Sequence, residues 1–577
     1  MLHKIKKALV IFLCLAMLTS LSPITSADGF QATVHTLRIG LYSGSQKTFT
    51  SANLQNVSGT GYGYELGYFN SDREFFPIGV RITETNAITV TIDQNVAWDS
   101  GERAFSTDLS VSSSVVGCYH IRYNEGFSSY HDAFEKAESL ELNENTFIKY
   151  YNDKYYVMIG QYSASAAVKE ALDSLDFKDS CQIDAGTAKT VTVVETGKTR
   201  VLFEFDGGTS AYLAVRPIPA DGAKSQCYHR GYKYYGDFAF IRGSSGYITV
   251  VNYVDIEDYV KGLVPYEMSA SWPIEALKAQ AVCARSYALT NLNKHKSEGF
   301  DICNTAECQV YYGTARANDN SNRAVEETEG EYLTYDGKLC QTNYYSHNGG
   351  ASENSENVWS IAYPYLRGVI DPYEKDVESV ISQYHWTVTF TGDAISKRLQ
   401  NRGYDCDTVT KFEILEFTEL GNVLRIRFTD KNGKKFTFSK RDCATVLGLR
   451  SQRYTINGAT PALNTYYINP SGEGVSGLSG LYAVGAGGTD QLGSGELYAI
   501  SGKGEISKLG GETSAALTGE SFVITGTGWG HNVGMSQWGA YSMAKYHNKT
   551  YKEILTFYYQ GTEIVYSVYP KKSEENT

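Results

Sequence analysis

Residues 259–289, YVKGLVPYEMSASWPIEALKAQAVCARSYAL, constrain the fold of this chain more than any other segment. The apolar run up to Val264 is typical of a strand. Because Pro265 fixes its own φ and pushes the residue before it toward extended geometry, we expect the strand to end there. Glu267 is then expected on a turn. On the sequence of this segment alone, Glu267 is either a solvated or capping residue of that turn or a catalytic carboxylate held in a fixed position.

An alanine-rich helix is predicted directly after this turn, from Pro273 to about Lys294. Ser271 is a suitable N-cap, proline suits the first turn of a helix, and Glu275 favours the positive end of the helix dipole. Small side chains allow this helix to pack closely against its neighbours, at Ala276, Ala279, Ala281 and Ala284. The carboxylate of Glu267 is therefore expected between two rigid elements.

The composition indicates a large globular protein that does not bind nucleic acid. The 577 residues allow about three to five domains. Charged residues make up 20% and hydrophobic residues 42% of the chain, and its 45 tyrosines suit extended binding grooves as well as strands. The formal net charge is −12, and no block of lysine and arginine follows the extreme N-terminus, so nucleic acid is excluded as a partner.

The first 27 residues have the pattern of a secretory signal peptide. Lys4, Lys6 and Lys7 precede an apolar run over residues 8–21, and small residues follow at 25–27. We therefore expect a secreted or cell-wall-associated protein. An uncleaved N-terminal segment that anchors the chain in the membrane is the open alternative, and no later segment is long and apolar enough to span a bilayer.

Removal of Cys14 with this segment leaves nine cysteines, so at least one is unpaired outside the cytosol. Cys118 with Cys181 and Cys406 with Cys443 are candidate disulfides within local regions.

Periodicity divides the mature chain into several parts. Alternating runs predict a β-rich segment over residues 28–110. Residues 115–184 read as strand, helix, hairpin and helix, which predicts a small inserted ferredoxin-like βαββα domain. Residues 190–568 form the main domain, with Gly-rich and Ser-rich hairpins over 454–525 and two late helices, and a polar tail follows at 569–577. The predicted fold class is α+β, a β-rich multi-part domain with a few helices.

Residues 300–313, FDICNTAECQVYYG, contain the only closely spaced cysteine pair. Cys303 and Cys308 are either a local disulfide or half of a structural zinc site. His347 is the most suitable third ligand. Gln309 and Tyr311 follow the pair directly.

Two polar, glycine-containing segments complete the set of candidate sites. In residues 344–359, YYSHNGGASENSENVW, the side chains suited to line a sugar cleft are Ser346, His347, Glu353 and Trp359. Residues 526–544, GTGWGHNVGMSQWGAYSMA, place His531 and Gln537 ahead of a helix without the GxxxxGK[ST] of a nucleotide site. An ordinary turn and a structural histidine are the competing interpretations.

Four of these motifs, VPYEM, WPIEALKAQAVCARSYAL, CQVYYG and GWGHNVGMSQWGA, together resemble the stage II sporulation protein D and amidase-enhancer family of cell-wall proteins. The resemblance covers residues 38–567 with interruptions. It implies a peptidoglycan lytic transglycosylase that cleaves the β-1,4 bond between N-acetylmuramic acid and N-acetylglucosamine, forms a 1,6-anhydro product and uses Glu267 as its catalytic acid. The residues we expect to bind the sugar are Arg285, Tyr287, Gln309, Tyr311, Ser346, Glu353, His531 and Gln537.

The resemblance also explains how one carboxylate suffices. Most glycoside hydrolases need two, but in the reaction that the resemblance implies, the C6 hydroxyl of the muramic acid attacks C1. Glu267 would donate a proton to the leaving oxygen and then accept one from that hydroxyl. Burial among Val264, Met268 and Trp272 is expected to raise the pKa of the acid toward about 6.

The chain departs from the family pattern at two positions. Asn532 stands where the family usually has glycine, and Cys283 where alanine is common.

Within residues 115–184, the run YYVMIGQYSASAAVKEAL resembles the sporulation-related (SPOR) repeat that binds glycan strands; a generic βα unit without a ligand is the alternative.

Two rival functions remain open on the sequence. One is a non-catalytic glycan-binding protein that stimulates a cell-wall amidase. The other is a zinc-dependent wall peptidase built on Cys303, Cys308 and His347, which the lack of an HExxH motif disfavours. The expected partners are glycan strands of peptidoglycan and, in the first rival, an amidase; no cofactor is expected beyond a structural zinc ion.

Overall fold

Strands far outnumber helices in this protein. The computed structural model describes residues 30, 32–42, 44–208, 211–243, 245–456 and 521–567, and the backbone of short strands between residues 465 and 518. Over these residues the fold is mixed α+β and rich in strands, which confirms the predicted fold class. The predicted signal peptide and polar tail lie outside the described residues.

Ten helices occur in the described part of the chain. They are α1 (Tyr130–Ser139), α2 (Ser165–Asp173), α3 (Ile256–Glu267), α4 (Ile274–Thr290), α5 (Asp319–Glu326), α6 (Ser355–Val358), α7 (Gly392–Gln400), α8 (Asp442–Thr445), α9 (Gln537–Tyr546) and α10 (Tyr551–Tyr558). Among these residues no helix has the length and apolar character needed to cross a membrane.

The strands fall before and after the α3–α4 pair. Those before it are β1 (Thr36–Gly40), β2 (Ser51–Asn56), β3 (Gly61–Phe69), β4 (Phe75–Ile82), β5 (Ala87–Ile92), β6 (Val96–Asp99), β7 (Ala104–Ser106), β8 (Val115–Val116), β9 (Tyr119–Tyr123), β10 (Thr146–Tyr151), β11 (Lys154–Tyr162), β12 (Cys181–Ala185), β13 (Val191–Glu195), β14 (Val201–Asp206), β15 (Leu213–Pro219), β16 (Gln226–His229), β17 (Tyr232–Tyr235), β18 (Asp237–Arg242) and β19 (Ile248–Asp255). Those after it are β20 (Ile302–Cys303), β21 (Glu331–Tyr335), β22 (Lys338–Leu339), β23 (Tyr344–Tyr345), β24 (His385–Thr391), β25 (Val409–Phe417), β26 (Val423–Asp430), β27 (Lys435–Ser439), β28 (Tyr454–Ile456), β29 (Thr465–Ile468), β30 (Glu473–Ser476), β31 (Tyr482–Gly485), β32 (Gly488–Gln491), β33 (Leu497–Ile500), β34 (Ile506–Leu509), β35 (Ala515–Thr518), β36 (Ser521–Thr527), β37 (Met535–Ser536) and β38 (Glu563–Tyr566).

Two large sheets organise the first half of the chain. One has seven strands in the order β20-β1-β19-β18-β15-β3-β4, and the other has ten in the order β12-β9-β11-β10-β14-β13-β5-β2-β16-β17. Their apolar faces share one core with α3, α4, α9 and α10, to which Leu66, Val90, Leu263 and Met543 contribute. Helix α3 packs on β19 and β1 of the seven-stranded sheet, and α4 packs against α3, α9 and α10.

Residues 119–185 form the order β9-α1-β10-β11-α2-β12, which contains every predicted element of this segment and one strand more. The four strands lie in the order β12-β9-β11-β10 with antiparallel neighbours. The sheet does not stop at this segment, because β10 pairs in parallel with β14, Ile148 opposite Phe203. A separate ferredoxin-like, glycan-binding domain therefore stays a prediction.

The strand and turn predicted around Pro265 are wrong. The strand is β19, which ends at Asp255; that side chain caps α3 by accepting from the amides of Glu257 and Asp258. Pro265 lies in the last turn of α3, and Glu267 is the final residue of the helix. A proline so near the end removes one hydrogen bond from a helix that the cap and its buried apolar face already stabilise.

The helix predicted after this point exists as α4, but its ends differ from the prediction. It begins at Ile274 with Pro273 at the cap position, where Ser271 was expected, and it ends at Thr290. The four alanines expected to pack closely are all fully buried, at Ala276, Ala279, Ala281 and Ala284.

A second hydrophobic core lies in the later part of the chain. Strands β24, β25, β26, β28 and β36 and helix α7 supply it, with Trp386, Phe412 and Phe522 among its residues. Between β28 and β36, three antiparallel hairpins occur where the Gly-rich and Ser-rich pattern predicts them, β29 with β30, β31 with β32 and β33 with β34.

The nine cysteines of the described residues are free thiols, so neither the two candidate disulfides nor the alternative Cys303–Cys308 disulfide is formed. The register of β9 and β12 explains the first case, because Cys181 lies opposite Tyr123 and Ala185 opposite Tyr119. Cys118 therefore sits at the other end of this strand pair.

Candidate active site around Glu267

The carboxylate of Glu267 is held by three hydrogen-bond donors from distant parts of the chain. Its Oε1 accepts from the Val310 amide at 2.8 Å and from the Tyr344 hydroxyl at 3.2 Å. Its Oε2 accepts from Nε2 of Gln537 at 3.3 Å. The end of α3, the loop after the cysteine pair, β23 and the start of α9 therefore meet at one acid. This arrangement brings together three of the four motifs, VPYEM, CQVYYG and GWGHNVGMSQWGA, and the polar segment of residues 344–359.

Burial raises the pKa of Glu267 above its usual range, and the three hydrogen bonds partly oppose this effect because they favour the carboxylate. The side chain is still partly exposed. Among the described residues its hydrogen-bond partners are an amide, a phenol and a carboxamide, and none is a second carboxylate. Glu267 is thus a single accessible acid that retains its proton to a higher pH than an ordinary glutamate.

Gln309 orients Tyr344 rather than contacting Glu267 itself. Its Oε1 accepts from the Tyr259 hydroxyl at 3.0 Å, which leaves its Nε2 to donate to the Tyr344 hydroxyl at 2.9 Å. The hydrogen of Tyr344 is then free to point at Glu267. Gln309 was predicted to bind sugar, but it is almost completely buried behind this tyrosine. Its two phenolic partners were not identified from the sequence, although both lie in the quoted motifs.

Tyr311 and Tyr287 are also largely buried. The Tyr311 hydroxyl donates to Oδ1 of Asn252 at 2.9 Å. Burial is the main cause that raises the pKa of Tyr287, and the charge of Glu267 is among the smaller contributions. Tyr287 therefore lies within electrostatic reach of the acid, whereas Tyr311 joins the loop after the cysteine pair to β19.

Arg285 is not brought to Glu267. Its fully buried guanidinium pairs with the Glu257 carboxylate, with nitrogen to oxygen distances of 2.8 and 2.7 Å, and donates to the Glu331 carbonyl at 3.2 Å. This bidentate pair fixes α4 against α3. Arg285 thus stabilises the two helices that position the acid.

Glu353 and Ser346 also make internal contacts. Glu353 is buried and accepts four hydrogen bonds, from the Asn354 amide and from the side chains of Asn357, Thr418 and Asn422. Ser346 Oγ lies 3.0 Å from Nδ1 of His347. The loop of residues 344–359 is therefore held by polar side chains of its own and by Thr418 and Asn422 from a later part of the chain.

His531 lies between two aromatic rings, 5.3 Å from that of Tyr345 and 5.0 Å from that of Trp359. Its Nδ1 accepts from the Val533 amide at 3.1 Å. Burial is the main cause that lowers the pKa of His531, to about 3. The imidazole is therefore neutral at physiological pH, with its proton on Nε2.

Asn532 has a φ of 61° and is almost completely buried. This left-handed backbone conformation suits glycine best, and asparagine is among the few other residues that tolerate it. The family's usual glycine and the asparagine of this chain therefore meet the same backbone requirement.

The cysteine pair has a histidine partner, but not the predicted one. His295 Nε2 lies 3.4 Å from Sγ of Cys308, and the ligand atoms of His295, Cys303 and Cys308 lie within 4.8 Å of one another. His295 Nδ1 lies 3.0 Å from Glu298, a contact that orients the ring. His347 instead stacks on Tyr384, with ring centroids 5.6 Å apart, so its assignment as third ligand is corrected. Two thiols and an imidazole are ligands that zinc prefers.

A second buried cluster joins Asp93, His120 and Glu204 between β9 and β14. Lys149 already contacts it, with Nζ 3.5 Å from Oε2 of Glu204. The Lys149 ammonium group thus supplies the positive charge that a metal ion would otherwise bring to this cluster.

Two groups of aromatic side chains lie near Glu267, one that includes Tyr266 before it and one that includes Trp272 after it. Before it, Tyr266 meets Tyr312 edge to face at 5.5 Å, and Tyr312 stacks on Tyr232 at 4.8 Å. After it, Trp272 packs against Trp538 at 4.7 Å and Tyr541 at 5.0 Å. These rings are partly or largely exposed. Such surfaces are suited to pack against the apolar faces of sugar rings.

Known proteins match the part of the chain that contains VPYEM, WPIEALKAQAVCARSYAL and CQVYYG. Residues 244–335 match the family model described as SpoIID, Stage II sporulation protein. An uncharacterized protein of Brachyspira hyodysenteriae (strain ATCC 49526 / WA1) is 33% identical over 336 residues, which are 58% of this chain and 73% of the relative.

Two relatives from Bacillus subtilis (strain 168) have descriptive names. The Amidase enhancer is 33% identical over 313 residues, 53% of this chain and 40% of the relative. Stage II sporulation protein D is 27% identical over 329 residues, 54% of this chain and 75% of the relative.

Proposed function

The chain belongs to the stage II sporulation protein D and amidase-enhancer family, and from this membership and the surroundings of Glu267 we propose that it is a peptidoglycan lytic transglycosylase. The reaction cleaves the β-1,4 bond between N-acetylmuramic acid and N-acetylglucosamine and leaves a 1,6-anhydro end. Cell-wall remodelling, in sporulation or in vegetative growth, is the process such a reaction serves.

The observation that carries this proposal is the raised pKa of the buried Glu267 carboxyl. A general acid must hold its proton at working pH, and burial raises the pKa of this carboxyl accordingly. Val310 and Tyr344 both donate to Oε1, whereas Oε2 has the single, longer contact with Gln537. The proton of the neutral acid therefore belongs on Oε2, the oxygen that would face the glycosidic oxygen.

In the first step, Oε2 of Glu267 donates its proton to the leaving O4 of N-acetylglucosamine as the bond from C1 to that oxygen breaks. Positive charge develops on the muramic acid ring. The carboxylate formed on Glu267 is stabilised by the Val310 amide and by Tyr344 and Gln537, the same groups that hold the neutral acid.

In the second step, the C6 hydroxyl oxygen of the same muramic acid bonds to C1, and Glu267 accepts the hydroxyl proton. The acid returns to its starting state, and no water is consumed. A hydrolase would need a second carboxylate to activate water or to attack C1. The hydrogen-bond partners of Glu267 in the described residues include none, which favours the internal attack.

Reaction in water enriched in ¹⁸O tests the reaction class. The proposal predicts products whose muramic acid end is one water lighter than a reducing end and carries no ¹⁸O. Reducing ends labelled with ¹⁸O would instead identify a hydrolase.

A second candidate function is a glycan-binding enhancer of a cell-wall amidase. The relative named Amidase enhancer, 33% identical to this chain, favours it. Incubation of sacculi with the protein alone, with an amidase alone and with both distinguishes the candidates. Anhydro ends released by the protein alone support the enzyme, whereas faster peptide release seen only with both proteins supports the enhancer.

Three further expectations accompany the proposal. The protein acts outside the cytosol, either free or anchored through its N-terminal segment. Residues 115–184 bind glycan strands, as their resemblance to the SPOR repeat implies. A structural zinc ion would be held by His295, Cys303 and Cys308, and it would fix the loop whose Val310 amide binds Glu267.

A further inference from the structure

A cleft of about 680 Å³ lies beside the aromatic side chains that precede Glu267. It is lined by β2, by the turn between β6 and β7 and by the hairpin of β16 and β17. Tyr228 and Tyr232 are exposed there. We name it the arginine cleft, after Arg103 and Arg230, the two cationic residues among its described lining.

Both arginines occupy backbone positions that arginine rarely takes. Arg230 has a φ of 49° and Gly231 one of 82°, so they are the central pair of a two-residue hairpin turn that favours Asn-Gly or Gly-Gly. Arg103 has a φ of 51° in the turn before β7. A left-handed conformation costs about 1–2 kcal/mol for such a residue. Two strained arginines in one cleft point to a function for their side chains.

The two guanidinium groups are available to a ligand. Within the described residues neither forms a salt bridge, and the Arg230 guanidinium lies over the Phe49 ring at 4.6 Å. Glu102 is the single acidic residue in the described lining, on a protein whose net charge is −12. The cleft is therefore a local cationic site suited to a carboxylate.

A buried histidine supplies a further polar group. Nδ1 of His229 lies 3.1 Å from the Asn53 carbonyl oxygen and so carries the proton. Its Nε2 has no hydrogen-bond partner in the described structure, although the residue is only 2% exposed and lines the cleft. The pKa of His229 is lowered to about 4, mainly by burial, so the ring adds a neutral polar group to the wall of the cleft.

A row of aromatic contacts links the arginine cleft to Tyr266, the residue before Glu267. Tyr232 belongs to its lining and stacks on Tyr312, which meets Tyr266. The backbone supports this path, because Lys233 of β17 forms a bridge with Gly313, three residues after Val310. The strand that lines the cleft is thus attached to the loop that holds the acid.

We propose that the arginine cleft is a subsite for the glycan strand cleaved at Glu267, in which Arg103 and Arg230 bind a carboxylate that the strand carries. This inference rests on the proposed function for its substrate. The strand runs from the cleft along the three tyrosines to the acid. Two sources offer the same chemistry: the lactyl carboxylate of a muramic acid without its peptide, and the carboxylates of a stem peptide.

Glycine substitutions test this subsite without endangering the fold, because glycine suits both left-handed positions. We would measure strand binding by the double variant Arg103→Gly/Arg230→Gly on a Glu267→Gln background, which prevents turnover. Arg425→Gln is the matched control, since it removes an exposed arginine from the second core region. Thermal unfolding verifies that each variant is folded.

Three probes separate the sources of the carboxylate: strands freed of peptides by an amidase, strands with intact stem peptides, and a hexamer of N-acetylglucosamine without carboxylates. The loss of charge-assisted hydrogen bonds is expected to weaken strand binding about tenfold or more and to leave hexamer binding nearly unchanged. Weakening on peptide-free strands assigns the lactyl group, and weakening on intact strands alone assigns the stem peptide.

Unchanged binding of both strand forms would overturn the proposal, as would equal weakening on the hexamer. Failure of the proposed reaction has a different signature. A parent protein that binds strands through the arginine cleft but releases no anhydro product contradicts the transglycosylase and leaves the subsite intact.

Discussion

The Tyr344 hydroxyl donates to Oε1 of Glu267 at 3.2 Å, and it is itself held by Nε2 of Gln309 at 2.9 Å. The phenol therefore stabilises the carboxylate and lowers the pKa of Glu267, whereas burial raises that pKa. The balance between these two effects sets the pH range in which Glu267 can donate a proton.

Replacing Tyr344 with phenylalanine is expected to extend activity to higher pH. Loss of one hydrogen bond to the carboxylate disfavours the ionised form by about 1 kcal/mol, so the pKa of Glu267 rises further above its usual range. Activity requires the protonated acid and is lost as pH rises through this pKa, so the basic limb of the profile of kcat/KM against pH moves upward. A basic limb that stays in place or moves to lower pH would exclude this role for Tyr344.

The backbone at Asn532 predicts opposite results for two small substitutions. Asn532→Gly suits the φ of 61° and is expected to preserve stability, whereas Asn532→Ala is expected to lower the free energy of unfolding by about 1–2 kcal/mol. Urea denaturation measures both values. If the alanine variant is as stable as the glycine variant, the backbone explanation for this position is wrong.

Burial of His347 is expected to make the stability of the protein depend on pH. Burial lowers its pKa to about 4, below the value of about 6.5 for an unfolded histidine. Its contribution is present above pH 6.5 and is lost as pH falls toward 4, because only the unfolded chain binds the proton in that window. His347→Phe should therefore lose roughly 2 kcal/mol less stability between pH 7 and pH 5 than the parent protein. Parallel stability curves would show that folding leaves the pKa of His347 unchanged, which would contradict this account.

The position of His295 predicts which histidine supports a metal. The parent protein is expected to contain zinc, and His295→Ala to lose most of it, since that residue lies beside both thiols. His347→Phe is the matched control and should retain the zinc. Elemental analysis of purified protein measures this content. Equal zinc in the two variants, or none in the parent, would contradict the assignment.

The candidate acid and the helix that follows it could be located from short motifs, because VPYEM and the alanine-rich α4 have local signatures. The conformation of residues 259–266 could not, since the rule for the residue before proline was overridden by the Asp255 cap and by burial of one helix face. A pattern of local propensities does not include such tertiary packing.

Polar residues within the motifs were harder to interpret than the motifs themselves. Arg285 and Glu353 were predicted to bind sugar from the motifs that contain them, but their partners Glu257 and Asn422 are distant in sequence. His347 was chosen as a metal ligand for its motif, whereas His295 reaches the thiols because the chain folds back after α4. Only the three-dimensional structure reveals these pairings.

The most direct test of the account compares the parent protein with Glu267→Gln on purified sacculi. The substitution retains the shape of the side chain and removes its ability to donate and accept the proton. Mass spectrometry of the soluble products measures 1,6-anhydro ends. We expect the parent to release them and the variant to lose release by about 100-fold or more, while it still binds sacculi. Release at the parental rate by the variant would contradict the assignment of Glu267 as the catalytic acid.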